Sequence, residues 1–468
     1  MATQSSPLRA LADQISQAVT VIESAFSAAA QPFPSLSAPY DPTSPAEAPF
    51  GLPEVAQAVN TISLACSALT ASVETPGQKI GQTSLGFTAT AAFEVALNGY
   101  VAEILRSHPS GLHVKEIAAR NGVDAGKLGR ILRYLASIHV FSELSPNVFA
   151  NNRLSSALDT GNRVEDIQAN PVAHFAGRAG LAGLVHHSCD VTFKGAAALQ
   201  EILLKKEYAS DDTPEKAAVP YAFKTSLPMY VWFEEPGNET RLAAFAAGMR
   251  ARELTQVPDA IMQGFDFSTL PAGATVVDVG AGTGHFSLAI AKRYPDLQFV
   301  VEDRPAVVEK AKELWQGKLP NASVKMVGQD FFEPQAIKEP GVFLLGNILH
   351  NWGRTHALTI LKNLRDAAGP ATKLIIGEQI APYACAEPVS TGNGIRGADR
   401  LLRPTLSVMA PGRATWPAML DMVMLCNFNG EERTLGGFIE LAEATGWKIV
   451  QVTPIPGILD SYLVAEPM

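Results

Sequence analysis

The sequence predicts an α/β protein: a doubly wound sheet preceded by a small α-helical domain of winged-helix pattern. Three observations carry this expectation. Thr275–Val279 reads as a buried strand, breaks at Gly280, Gly282 and Gly284, and resumes with Phe286, Leu288, Ala289 and Ile290 as one packed helical face. Strand, glycine turn and helix form the opening unit of a Rossmann-like, nucleotide-binding sheet. From about residue 270 to the end, apolar strand-like runs alternate with helical patterns, as in a single doubly wound sheet. Upstream, from about residue 85, short helical stretches lead into a small hairpin.

The bulk numbers exclude several classes. A chain of 468 residues exceeds one ordinary domain, so two or three are expected. The net charge of −9 and pI of about 5.6 give no attraction to nucleic acid or anionic membrane. Four cysteines are scattered without a C-x-x-C pair, which argues against a zinc site and suits a reducing compartment. No signal-peptide pattern and no run long enough to span a bilayer is present. A soluble cytoplasmic protein is expected.

Taken in order, Leu8, Leu11, Ile15, Ala18, Ile22 and Ala25 form a helix with a narrow apolar seam, suited to a partner subunit or to docking on its own chain. Pro32, Pro34, Pro39, Pro42, Pro45 and Pro49 predict an extended linker. Leu52, Val55, Val59, Ile62 and Leu69 mark a second helix. Phe93, Leu97, Val101 and Leu105 give another, His113–Gly122 a short one closed by Asn-Gly, and Lys127–Leu135 a third, before a hairpin over 140–149. Lys127, Arg130 and Arg133 on that third helix raise a remote alternative, a winged-helix DNA-binding regulator. The acidic balance and the large domain that follows argue against it.

Residues 155–250 carry Phe223, Tyr230, Trp232, Phe233, Phe245 and Met249, an apolar helical layer able to wall a flat substrate. His186, His187, Asp190 and Glu201 suggest a metal site, but adjacent histidines on a helix point in different directions. No metal is expected.

In the last part of the chain, chemistry gathers at strand ends. Leu297–Val301 runs into Glu302 and Asp303. An acid about twenty residues past a glycine loop suits a ribose diol. Successive residues of a strand face opposite ways, so Asp303 is assigned to the ligand and Glu302 to a solvated strand end. Val324–Val327 is followed by Asp330 and Phe331, placed to bind an adenine amine and cover its ring. Val342–Leu345 leads to Gly346, His350 and Trp352, Lys373–Glu378 ends in a glutamate, and the run Asp421–Thr434 delivers Glu432 on a turn.

The G-x-G-x-G spacing after Asp278 resembles the first motif of S-adenosylmethionine-dependent methyltransferases, tighter than the dinucleotide G-x-G-x-x-G. Together with the later motifs, it makes roughly residues 85–468 resemble the plant and fungal small-molecule O-methyltransferases. The resemblance implies a Rossmann-like catalytic domain behind a winged-helix dimerisation domain. It implies S-adenosyl-L-methionine as cofactor, a homodimer, and a small aromatic or polyketide-like substrate. Residues 1–84 are then an N-terminal helical extension with its Pro-rich linker, 85–225 the dimerisation domain and 226–468 the catalytic domain.

By the same resemblance, Asp278, Gly280, Gly282, Gly284, Asp303, Asp330 and Phe331 bind the cofactor. His350 is the base, Glu378 and Glu432 flank it, and Met424, Asn427 and Trp352 meet the substrate. Two positions depart from the family. Asn351 stands where an aspartate is usual, and Gly346 where a lysine or arginine near the cofactor is usual.

The triad has a physical reading of its own. A phenol has a pKa near 10 and is a poor nucleophile at neutral pH. A neutral imidazole takes its proton as the oxygen attacks, and a carboxylate beside the ring fixes the tautomer and favours the imidazolium. The expected activity is methyl transfer to a phenolic or enolic hydroxyl. The alternative is a pericyclase or dehydratase of the same fold, with the cofactor as a fixed positive charge. Gly346 and Asn351 point towards the alternative. The retained His350, Glu378 and Glu432 point towards transfer.

Overall fold

The computed structural model describes residues 6–177, 179–255, 259–385, 389–401, 415–455, 458 and 460–468. The chain gathers into two units, Met1–Ala198 with Met229–Thr255, and Leu199–Pro228 with Gln256–Met468. Among the described residues no helix is long and apolar enough to cross a membrane.

In the first unit, the helix Pro7–Ala28 starts with proline at its first position and Ser6 as its cap, an arrangement that uses up a donor-free N-terminus. It buries Leu11, Ala18, Ile22 and Phe26, packing on Val55, Ala58, Ala65 and Ala68 of the helix Pro53–Val73. The seam therefore finds its cover in its own chain.

The Pro-rich stretch is not a free extended linker. It closes in a 3-10 turn over Pro45–Gly51, because proline at the head of a turn lacks only an N–H that would be unpaired anyway. Arg153 clamps it with two 2.5 Å bonds to Glu47 and lies over Tyr40 and Phe50.

The winged-helix pattern is present. Helices Phe87–Asn98, Val114–Asn121 and Ala125–Ser137 pack around Leu105, Ile117, Leu128, Leu132 and Phe149. A small sheet of β1 (Leu112–His113), β2 (Ser142–Ser145) and β3 (Val148–Ala150) runs in the order β1-β3-β2. Gly122, at φ 76°, ends the helix before it, as the Asn-Gly signal predicts. Of the three basic residues on Ala125–Ser137, Arg133 is held by Glu143 and Asn147 of the hairpin.

Among the described residues, the second unit is built on one seven-stranded sheet. Its strands are β4 (Thr275–Val279), β5 (Gln298–Asp303), β6 (Val324–Gly328), β7 (Val342–Gly346), β8 (Lys373–Gln379), β9 (Trp447–Pro454) and β10 (Asp460–Pro467). They lie in the order β6-β5-β4-β7-β8-β10-β9. The first five pair in parallel, whereas β10 pairs antiparallel with both β8 and β9. The alternating reading did not foresee this closing hairpin. It adds an antiparallel margin to a parallel sheet, a common finish for doubly wound folds.

Each face is apolar. Val277, Val279, Phe343 and Leu345 look one way with Ile360, Leu361 and Leu364, and Val276, Phe299, Val301 and Leu344 the other with Phe286, Ile290 and Trp315. Both faces are thus covered, as a parallel sheet requires.

The sheet also explains Gly346. A Cβ there would lie 2.4 Å from Cε2 of Phe286. That ring is boxed by His285 at 4.0 Å and by Tyr462 edge-on at 6.4 Å between centroids. The space a longer side chain needs is taken. Gly346→Ala is expected to cost about 1–3 kcal/mol of stability by overpacking, with part recovered when Phe286→Leu is added. Thermal unfolding of the single and double variants checks this. An unchanged Tm for Gly346→Ala would remove the clash as the reason for glycine.

Candidate active site

The carboxyl ends of β4 to β8 bring the sequence motifs together. After β4 the chain turns through Gly280, Gly282 and Gly284. At Gly282, φ is 59° and nothing lies within 4 Å of where a Cβ would stand, so the backbone offers an open cradle. Its neighbours are glycine for a different reason: a Cβ would meet Ile348 at 2.6 Å from position 280, or Trp315 Nε1 at 2.9 Å from position 284.

The backbone N–H of Gly282 donates to Asp303 Oδ2 at 2.7 Å. The glycine loop and the acid at the end of β5 are therefore joined. Glu302 corrects the expectation of a solvated end. It is buried, it accepts from Gln335 Nε2 at 2.8 Å, and burial pushes its carboxyl up. Strand parity sends Asp303 to the glycine-loop face and Glu302 to the other, where the segment bearing Gln335 covers it.

Asp278 lies beneath the loop. It is 1% exposed, accepts from the Ser287 hydroxyl at 2.7 Å through Oδ2, and has no hydrogen bond at Oδ1. Burial pushes it up to about 7.

Asp330 is exposed and accepts from the Phe332 N–H at 2.9 Å. Phe331 meets Phe332 and Trp352 edge-on, and Trp352 packs further on Phe332 and His356. The structure thus groups Trp352 with Phe331 and Phe332. Met424 and Asn427 are buried on the helix Thr415–Phe428.

His350 sits on the 3-10 turn Leu349–Asn351 beyond β7. Its Nδ1 is 2.9 Å from Glu432 Oε1 and 3.9 Å from Glu378 Oε2. Glu378, wholly buried in β8, accepts through Oε1 from the N–H of Leu349 at 2.7 Å and of His350 at 3.4 Å. Burial pushes the Glu378 carboxyl up. The N–H of Glu432 donates to Asp421 Oδ1 at 2.9 Å, a role the sequence had not assigned to Asp421.

The ligand atoms of His350, Glu378 and Glu432 lie within 4.8 Å of one another, a spacing a metal ion can bridge. The chain supplies a cation of its own beside them, the buried guanidinium of Arg433. The other suggested cluster is committed elsewhere. Asp190 is paired with Lys194 and Arg241, and Glu201 accepts from the Tyr221 hydroxyl.

Residues 82–161 match the O-methyltransferase dimerisation domain, and residues 210–394 the O-methyltransferase domain. An O-methyltransferase of Armillaria gallica is 37% identical over 99% of this chain and 100% of its own length. The chain belongs to the O-methyltransferase family. A 4-O-methyltransferase of Phanerochaete chrysosporium is 35% identical, with 96% of each chain covered. The solved structure of a pericyclic reaction enzyme covers 97% of this chain and 100% of its own at a TM-score of 0.66 and 18% identity, a likeness of fold.

The cofactor of this O-methyltransferase is S-adenosylmethionine. The residues present fit it: Gly282 leaves the backbone open, and Asp303 beside it presents a carboxylate suited to a ribose.

The Asp278 carboxyl gives a pH signature. At about 7 it lies above its unfolded value near 3.9. Between those values the folded enzyme holds a proton that the unfolded chain has released, so stability falls as pH rises through that window. Asp278→Asn is expected to flatten the fall. Urea unfolding of the cofactor-free protein at pH 5 and pH 8 (roughly bracketing the transition) measures it; identical pH dependence in both proteins would refute the assignment.

Proposed function

We propose that this O-methyltransferase methylates a phenolic or enolic hydroxyl of a small aromatic or polyketide-like molecule, with His350 as general base. The observation that carries the reading is the 2.9 Å contact of His350 Nδ1 with a buried Glu432. With Nδ1–H directed at the carboxylate, Nε2 is the basic nitrogen. It receives the hydroxyl proton as the new O–CH₃ bond forms and the S–CH₃ bond breaks. Glu432 favours the imidazolium, and Glu378 adds a second buried carboxylate 3.9 Å away.

When bound, S-adenosylmethionine supplies an electrophilic methyl on a sulfonium sulfur. Gly280, Gly282, Gly284, Asp303, Asp330 and Phe331 are the residues we assign to holding it, with Asp278 supporting the loop through Ser287. Met424 and Asn427 face the acceptor in this reading, with Trp352 bordering it from the aromatic group around Phe331. Transfer needs alignment more than covalent chemistry, so these residues contribute chiefly by positioning.

We further assign a cytoplasmic homodimer, supported by the four free cysteines and the dimerisation domain. The engagement of Arg133 with Glu143 supports a wing without a nucleic-acid role.

His350→Ala is expected to lower transfer by about 10²–10⁴-fold while S-adenosylhomocysteine affinity by calorimetry stays unchanged. Turnover equal to wild type would remove His350 as base. The same assay, run with a methyl-labelled cofactor, separates transfer from the pericyclic reading: label should enter product one-for-one with S-adenosylhomocysteine. An isomerised or dehydrated product with the cofactor unconsumed would install that reading instead. Light scattering at micromolar concentration should give twice the chain mass, and a monomer would contradict the assembly.

A further inference from the structure

We propose that Arg433 is a positioning residue for His350, a two-pronged staple across the turn that carries the imidazole. This rests on the reading of His350 as the base.

The geometry is direct. Arg433 follows Glu432 in sequence, and its side chain is 2% exposed. Nη1 donates to the Leu349 carbonyl at 2.6 Å, and Nη2 to the Trp352 carbonyl at 2.5 Å. Leu349 precedes His350 and Trp352 lies two residues beyond it, so the guanidinium fork spans the turn Leu349–Asn351. The backbone of Arg433 is tied as well: its carbonyl accepts from the Ala381 N–H at 2.9 Å, just past the strand that bears Glu378. The backbone N–H of Glu431 donates to the His350 carbonyl at 2.9 Å. One residue thus joins the base, the carboxylate bonded to Nδ1 and the strand of the second carboxylate.

Without the staple, the Trp352 carbonyl loses its charged donor and the Leu349 carbonyl keeps the Trp352 N–H at 3.1 Å but loses the guanidinium, and a buried acceptor that gives up a charged donor is costly. The turn relaxes, and with it the 2.9 Å registry of His350 Nδ1 on Glu432. Displacement of a catalytic group by about 1 Å costs on the order of 10²-fold in rate.

Charge alone does not replace the fork. A lysine ammonium is a compact point charge on a flexible stem, whereas the planar guanidinium presents parallel donors at fixed separation. Arg433→Lys therefore separates the two contributions, since it keeps a cation near Glu378 and Glu432 and loses the span.

The test uses the full chain as wild type, Arg433→Lys, Arg433→Met and His350→Ala, with ¹⁵N-labelled histidine. His350→Ala assigns the His350 ring signals. The activity probe is whichever member of a panel of simple phenols the wild type methylates fastest. In Arg433→Lys we expect kcat to fall roughly ten- to a hundredfold, with KM and S-adenosylhomocysteine affinity within about twofold and a displaced His350 Nδ1–H resonance. Arg433→Met should lose at least as much kcat.

A Lys variant with wild-type kcat and an unmoved Nδ1 signal would overturn the proposal. So would kcat, cofactor affinity and melting temperature falling together in both variants, which marks a general structural role. The ring signal is read without turnover. If His350→Ala remains active, the base reading fails by itself, while a displaced signal in Arg433→Lys still supports the staple.

Discussion

Two glutamates, Glu378 and Glu432, are buried within 4 Å of one imidazole, and the surrounding structure answers that concentration of charge. Burying a carboxylate is costly unless its oxygens are hydrogen-bonded or paired. The N–H groups of Leu349 and His350 answer Glu378. His350 answers Glu432. Arg433 brings a buried positive charge to the same place, and burial pulls its own pKa down. The set is expensive to assemble and easily upset by the loss of one partner, and the bond from Glu432 holds the imidazole of His350 in one orientation.

A second group of acids lies at the ends of β4 and β5. Asp278 and Glu302 are buried, each with one oxygen lacking a hydrogen bond, while Asp303 stays partly open and is oriented by Gly282. Burial pushes the first two carboxyls above the usual carboxylate range. Of the three, Asp303 alone combines access with an orienting backbone donor, so the carboxylate that can meet a ligand is singled out by its surroundings. Fold and chemistry meet at Gly282, whose open Cβ position and N–H serve the loop and the acid together.

What the sequence disclosed was whatever is local. The glycine spacing, the acids at strand ends and the Asn-Gly helix stop each involve a few residues, and the structure places them where their spacing implies. The placing of β4, β5, β7 and β8 follows from apolar runs that the structure buries, whereas β6 at the sheet margin is only partly covered. Long-range facts were hidden. Gln335 is 33 residues from Glu302, and Arg433 is 84 from Leu349, so neither the burial of Glu302 nor the staple shows in local pattern. The proline count correctly forbade ladder pairing, but it carried no sign of Arg153, 106 residues away from Glu47. The antiparallel closing hairpin was missed because an apolar run does not state its direction.

The two departures from the family pattern have local causes in this chain. Gly346 is imposed by the Phe286 ring that occupies its side-chain space. Asn351 donates through Nδ2 to the Asn347 carbonyl at 3.3 Å. Asn347 is itself in the left-handed region at φ 54°, its N–H bonded to the Gly377 carbonyl at 2.9 Å. An aspartate at 351 has no proton to give that carbonyl when ionised. The amide ties the residue after His350 to the left-handed Asn347 ahead of the turn. Neither departure removes a group from the set His350, Glu378 and Glu432, so both read as packing and turn-building around that set, and the case they made for a non-transferase chemistry weakens.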